Sequence, residues 1–171
     1  MRLSVDDINR TSPYWVLQLD DMLFRFTTKN GLHYRVGFYP DTALGIPDTY
    51  HFFIDNVLNQ HSTADSDILK VITAIIEEFF RQEPFVMLYV CDPTDNRQAA
   101  RNRLYAQWYN EYEKKTEYAM YSESVLFEGT QYYAGLLMKK NNPFATEVIT
   151  VFHSVIQGIP EQMVGRKQQE N

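Results

Sequence analysis

The sequence predicts an α+β protein with the order β-β-β-α-β-α-β-β-α and a central mixed sheet on which the helices pack. Its first half alternates apolar and polar residues between turn signals, which is typical of antiparallel strands. Two later segments repeat apolar residues at helical spacing, and the apolar run FVMLYV lies between them. A helical crossover on each side of this buried strand predicts parallel pairing at the centre of the sheet.

The N-terminal part is predicted to be an antiparallel meander that follows a loose arm at residues 1–13. An Asn-Gly pair between the first two strands accepts the positive φ angles of a tight turn, and Pro40 marks a loop before the third. The three predicted strands are at 14–28, 32–39 and 49–57.

The remaining elements complete one globular domain at 14–160, followed by a frayed polar tail at 161–171. The first helix ends at Pro84, and a hairpin turns near Gly129. The last helix has Asn142 as its cap and Gly158 as its end. The apolar face of the first helix consists of Ile68, Ile72, Ile75, Ile76 and Phe79.

Composition restricts the class of function. The chain has 171 residues, a formal net charge of -6 and 15% aromatic residues, so it can form a packed core. The acidic balance argues against non-specific nucleic-acid binding. The single cysteine excludes an internal disulfide, and no apolar run reaches the ~20 residues of a membrane span. With an N-terminus unlike a secretory signal, the sequence predicts a soluble cytoplasmic protein.

The stretch CDPTDNRQAARNRLYAQWY, residues 91–109, is the main candidate site, because ligands of mixed sheets bind beyond the carboxyl ends of strands. Two interpretations of its aspartates remain open. Asp92 before Pro93 can cap the following helix, with Asp95 as the second half of a capping box. Alternatively, both aspartates belong to a site.

Two arginines on the same helix carry the second open question. At 100° per residue, Arg97 and Arg101 share a face with Leu104, Trp108 and Tyr112, which predicts that they lie at the end of a buried stripe. Buried arginine requires a partner. Nearby aspartates can supply it in a structural network with Asp92, Asp95 or Asp55, or the arginines can line an anion pocket at the helix N-terminus.

Other polar residues give weaker signals. Cys91 can be a thiol nucleophile at a helix N-terminus or a small buried residue, and the second reading is favoured. The four histidines have no metal-ligand spacing, so no metal site is predicted. No phosphate-loop, Gly-x-Ser-x-Gly or Cys-x-x-Cys motif occurs.

The order of elements resembles the GNAT N-acyltransferase fold without its N-terminal elements. NRQAARNRLYAQWY is similar to that family's Asn-x-x-Ala and Leu-Tyr helix, and AGLLMKK is similar to its closing strand. The resemblance implies acetyl-CoA as cofactor and Tyr105 as general acid, with Asp55 or Asp92 as base. Arg97 and Arg101 would then bind a phosphate or carboxylate group. The sequence has no glycine between Gly45 and Gly129, where that family carries its pyrophosphate loop.

The hairpin at 31–34, the stretch CDPTDNRQAARNRLYAQWY and the late NNP also resemble a domain-of-unknown-function family of small bacterial proteins, mainly from Bacteroidota. This resemblance implies no activity. We therefore expect a non-catalytic binding or regulatory module without a cofactor, whose ligand is a partner protein or a small anion. A role within a toxin–antitoxin or defence pair is compatible with this expectation. The alternatives are a GNAT-like acyltransferase and a nuclease that holds a metal ion with Asp92 and Asp95.

Overall fold

In a computed structural model, the described part of the chain forms four helices, seven strands and one 3-10 turn. The structure describes residues 2–42, 44–57, 65–82 and 84–169, without the side chains of 82 and 159–169. The α+β class and the predicted order are confirmed, with one helix and one strand added at the N-terminus. The elements are α1 (Val5–Thr11), β1 (Val16–Asp20), β2 (Leu23–Thr27), β3 (His33–Pro40), β4 (Thr49–Asn56), α2 (Ser66–Gln82), β5 (Val86–Cys91), α3 (Gln98–Glu111), the 3-10 turn (Lys115–Glu117), β6 (Tyr118–Phe127), β7 (Thr130–Lys139) and α4 (Ala145–Gln169).

The predicted loose arm at 1–13 is a structured segment that contains α1. Ser4 caps this helix, since its hydroxyl accepts a hydrogen bond from the Asp7 backbone N–H at 3.3 Å. Leu3 and Ile8 are each only 1% exposed. The prediction was wrong because two buried apolar residues in so short a segment give no visible periodicity.

The predicted first strand, 14–28, is two strands. β1 and β2 pair antiparallel around a turn at residues 21–22, and the register shifts between Gln18 and Asp20. The Asp20 carboxylate accepts a hydrogen bond from the Asp21 N–H at 2.8 Å, which is the local bond that aspartate favours in turns. Apolar residues on both sides of the turn conceal it in the sequence.

The chain divides into two compact units, and the first consists of 1–40 and 50–85. In this unit β1, β2, β3 and β4 form consecutive antiparallel pairs. One face of the sheet packs on α2, where the Phe79 ring stacks on Phe38 at 4.2 Å and meets Tyr50 edge-on at 5.6 Å. Fully buried rings of Phe24 and Phe26 belong to the same face. The predicted turn before β3 is present, with Gly31 at φ 77°.

A buried carboxylate joins α1 to α2 in this unit. Glu78 is 3% exposed, and its Oε1 accepts a hydrogen bond from the Ser4 N–H at 2.9 Å. Arg81 donates to Oε2 of Glu78 at 2.7 Å and to Asp7 at 2.7 Å. These bonds satisfy the carboxylate, so that its burial is tolerated.

The second unit consists of 41–49 and 86–171. Within it β7 pairs antiparallel with both β5 and β6, and the predicted hairpin turn has Glu128 and Gly129 at positive φ. Strand, loop and α4 residues share one apolar core: Leu44, Ile46, Val86, Leu88, Ala134, Leu136, Met138, Val148 and Phe152. This core fixes β5, whose last residue is Cys91.

Helix α4 begins at Ala145, two residues after the predicted first position at Pro143, and it also ends later than predicted. The Asn142 carboxamide accepts a hydrogen bond from the Phe144 N–H at 2.8 Å, directly before the helix. The helix then continues through Gly158, Pro160 and Gly165 to Gln169, although an interior glycine costs ~1 kcal/mol and an interior proline ~3 kcal/mol. Most of the tail predicted as frayed is therefore helical, and residues 170–171 lie outside the described ones. None of the helices in the described part of the chain is both long and apolar enough to cross a bilayer.

Candidate functional site

The residues after β5 form two successive turns instead of the predicted start of a helix. Asp92 accepts a hydrogen bond from the Thr94 N–H at 2.9 Å, and Asp95 accepts one from the Arg97 N–H at 3.1 Å. Asn96 has φ 58°, in the left-handed region, so the helical path cannot begin before it. Helix α3 therefore begins only at Gln98, and neither aspartate is its cap.

Arg101 is neutralised within this segment. Its two terminal nitrogens contact the two carboxylate oxygens of Asp95, at 2.8 and 2.5 Å, and one of them also donates to the Asp92 carbonyl at 2.9 Å. The bidentate hydrogen bond from Arg101 is the main cause that lowers the pKa of Asp95 to about 2. Both groups are thus committed to each other in a structural network.

Arg97 behaves differently from Arg101. Its side chain is exposed, and no hydrogen bond or ion pair joins it to the described residues. Its positive charge contributes only a small part of the lowered pKa of Asp95. The two arginines therefore do not converge on a common pocket.

Cys91 lies in the core. The residue is 0% exposed, and burial raises the pKa of its thiol to about 11. A thiol with this pKa stays protonated at neutral pH and is a poor nucleophile. The cysteine therefore acts as a small apolar residue at the end of β5.

Helix α3 presents a different face to the sheet from the predicted one. Leu104, predicted to be buried, is 41% exposed, and no α3 residue is fully buried. The contacts lie on the helix face rotated by one residue: the Tyr105 ring meets Tyr89 edge-on at 4.9 Å, and the side-chain Oδ1 of Asn102 accepts a hydrogen bond from the Ser122 hydroxyl at 2.9 Å. Burial raises the pKa of Tyr89 to about 12. This interface is held by aromatic edges and hydrogen bonds instead of an apolar stripe.

Asp55 lies in the first unit, where it forms a salt bridge of 3.0 Å with Arg35. The other predicted site residues belong to the second unit. Within the described ranges, no three His, Cys, Asp or Glu side chains are grouped so that they could hold a metal ion. The predicted candidates are thus distributed among separate local interactions.

A surface in the first unit was not singled out from the sequence. It is the sheet face opposite α2, here called the open face, and it carries unusually exposed apolar side chains: Trp15 is 71% exposed, Leu17 43%, Leu19 48% and Tyr39 47%. The remaining members follow from the strand register: Leu23, Arg25, Arg35, His51, Phe53 and Asp55. The available sequence signal was the run YWVLQL, which is apolar at both odd and even positions.

The open face has a preformed apolar surface. The rings of Tyr39 and His51 stack at 4.8 Å, and Phe53 lies 6.2 Å from Tyr39. Gly37 carries no side chain, and both Phe53 and Leu23 lie within 3.1 Å of the position that its Cβ would take. Exposed contiguous apolar area of this kind is typical of an interaction surface.

Comparison with known proteins places this geometry in context. A protein-family profile, described as a family of unknown function (DUF6169), matches residues 64–154. No curated protein matches the sequence. Among solved structures, the CoA-dependent acyl-homoserine lactone synthase MesI is similar at 13% identity and a TM-score of 0.37, over 76% of this chain and 68% of that one. A likeness this weak carries no argument about activity.

Proposed function

This chain belongs to the family of unknown function DUF6169, and we propose that it is a non-catalytic module that binds a partner protein through the open face. One observation carries the proposal. Trp15, directly before β1, and Leu17 and Leu19 within β1 expose 43–71% of their surface. Tryptophan and tyrosine are enriched in the centres of protein interfaces, where they contribute most of the binding energy.

The polar residues after β5 support binding over catalysis. Asp95 and Arg101 bind each other, and Cys91 is buried as a neutral thiol. An anionic ligand on Arg101 would have to displace the Asp95 carboxylate, which disfavours an anion pocket shared by Arg97 and Arg101. We also propose that the module acts in the bacterial cytoplasm, in a source among the Bacteroidota, within a regulatory or defence pair.

The proposal is tested by comparing variants of the tagged chain in its source cells. Trp15→Ser with Leu17→Ser removes exposed apolar side chains at the β1 edge of the open face, and Leu126→Ser removes a side chain that is 65% exposed in the second unit. We expect one protein to be co-purified with the tagged wild type and with Leu126→Ser, but not with the double variant. The purified candidate is then titrated by calorimetry, and equal affinity for all three chains contradicts the proposal.

A separate titration addresses the enzymatic alternative. Acetyl-CoA is added to the purified chain in the calorimeter, followed by an assay for acyl transfer. We expect no heat of binding. Saturable heat that disappears in Arg97→Gln would instead favour the acyltransferase interpretation and contradict a purely non-catalytic role.

A further inference from the structure

Charged side chains form a single row across the open face. The strand register places Leu17 opposite Arg25, Arg25 opposite Arg35, and Arg35 opposite Asp55. Directly paired residues on neighbouring strands point to the same face, with their Cα atoms ~4.5–5.5 Å apart. The row therefore holds two guanidinium groups and one carboxylate.

Only one of the two arginines is paired. Arg35 binds Asp55 at 3.0 Å, whereas Arg25 is exposed and its guanidinium forms no hydrogen bond or ion pair with any residue that the structure describes. Like charges directly opposite each other destabilise a sheet. A carboxylate that approached Arg25 from outside would relieve this repulsion.

The rows on one side of the charged row are mainly apolar. Leu23, Gly37 and Phe53 form the next row along the strands, with Asp20 opposite Leu23 at its β1 end, and the stacked pair of Tyr39 and His51 follows. On the other side of the charged row, Thr27 lies opposite His33. Rows on the same face are ~6.6 Å apart, two residues of a strand. A complementary chain would present a carboxylate and an apolar side chain at this separation, which is two positions in an extended segment or four in a helix.

An occupant on the face is favoured over one on the strand edge, because the outer side of β1 is already bonded at Val16. Asn9 accepts from the Val16 N–H at 2.8 Å and donates to the Val16 carbonyl at 3.0 Å. Further along, Leu3 donates to the Asp21 carbonyl at 3.0 Å. A partner strand that extended the sheet would have to displace these bonds.

The net charge favours a segment of another protein over a second copy of the chain. Two copies would each bring a formal charge of -6 to the interface, and like charges repel. Because the whole chain is acidic, with a formal charge of -6, attraction of a carboxylate is local to the charged row.

We infer that the open face binds an acidic, apolar segment of the partner protein, with a carboxylate on Arg25 and an apolar side chain on the row of Leu23 and Phe53. This inference rests on the proposed function, since it names the chemistry of the partner at the same face. It is tested by selecting short random peptides on the intact chain, with counter-selection on the Trp15→Ser and Leu17→Ser double variant.

We expect selected peptides to share an Asp or Glu two or four positions from an apolar residue. A synthesised peptide should lose roughly ten-fold or more in affinity for Arg25→Glu and Arg25→Gln. Its affinity for Arg103→Glu, the same charge change at an exposed site on α3, should be unchanged. Replacement of the peptide's acid by Lys should restore binding to Arg25→Glu.

The outcomes separate the two proposals. Peptides that require Trp15 but carry no acidic residue would overturn this inference and leave the proposed function intact. The same holds for peptides whose affinity is unchanged by Arg25→Glu. Selection that yields no Trp15-dependent peptide overturns both. Sedimentation that shows a dimer of the wild type, lost in the double variant, would identify a second copy as the occupant and also overturn the inference.

Discussion

The phenol ring of Tyr89 lies directly over Gly135, its paired residue on the neighbouring strand β7. The ring occupies the space that a Cβ at position 135 would need. Tyr89 is 3% exposed, and its hydroxyl donates a hydrogen bond of 3.5 Å to the side-chain Oδ1 of Asn102 on α3. The missing side chain of Gly135 therefore allows the contact through which the sheet holds α3.

A Gly135→Ala substitution should destabilise the protein, because the methyl group would displace a buried ring. Overpacking of this kind costs ~1–3 kcal/mol in the free energy of unfolding, measured by urea denaturation. In a Tyr89→Leu background the same substitution should cost clearly less, since the ring is gone. An equal cost in both backgrounds would show that the contact is unimportant.

Glu78 should be essential for the attachment of α1. Glu78→Ala leaves the Ser4 N–H and Arg81 without their buried acceptor, and we expect a loss of ~1–3 kcal/mol in unfolding free energy. Glu78→Gln keeps an oxygen for Ser4 and should lose less. Glu147→Gln, at an exposed position on α4, serves as the control and should unfold like the wild type.

The Asp95 carboxyl should titrate at about pH 2 in carbon NMR, below the ordinary pKa of 3.8. Because its pKa is lowered in the folded state, its contribution to stability is complete above about pH 4 and is lost as the pH falls toward 2. Arg101→Gln should raise the midpoint toward the ordinary value. Arg97→Gln should move it less, and the reverse order of these two effects would refute the bidentate pair.

The thiol of Cys91 should react slowly with a disulfide reagent at pH 8 in the native protein and rapidly in denaturant. Burial is the reason, since it excludes the reagent and raises the thiol pKa to about 11. The raised pKa also implies that stability falls as the pH rises above about 9, where the thiol of the unfolded chain ionises. Modification of the native protein at the rate of a free thiol would contradict the buried position.

Local signals in the sequence were sufficient for much of the fold. The turns at Gly31 and Gly129 require positive φ angles, and the apolar run of β5 reflects its burial, so these elements were predictable. Helix α1 was missed because seven residues with one buried isoleucine carry no measurable period.

The candidate site was less predictable, because it depends on contacts that local patterns do not encode. The two aspartates accept hydrogen bonds from backbone N–H groups within their own turns, and α3 begins only after these turns. The face of α3 that contacts the sheet differs from the predicted one by a rotation of one residue. The open face could not be recognised either, since the exposure of Trp15 depends on what the rest of the chain leaves uncovered.

Helix α3 has no fully buried side chain, and this has a thermal consequence. Apolar exposure raises the heat capacity and polar exposure lowers it, so detachment of a helix held by amide and phenol groups has a small heat-capacity change. Its free energy of attachment should vary almost linearly with temperature. On cooling, the attachment of α3 to its sheet should become stronger, while the apolar core of the second unit loses hydrophobic stabilisation.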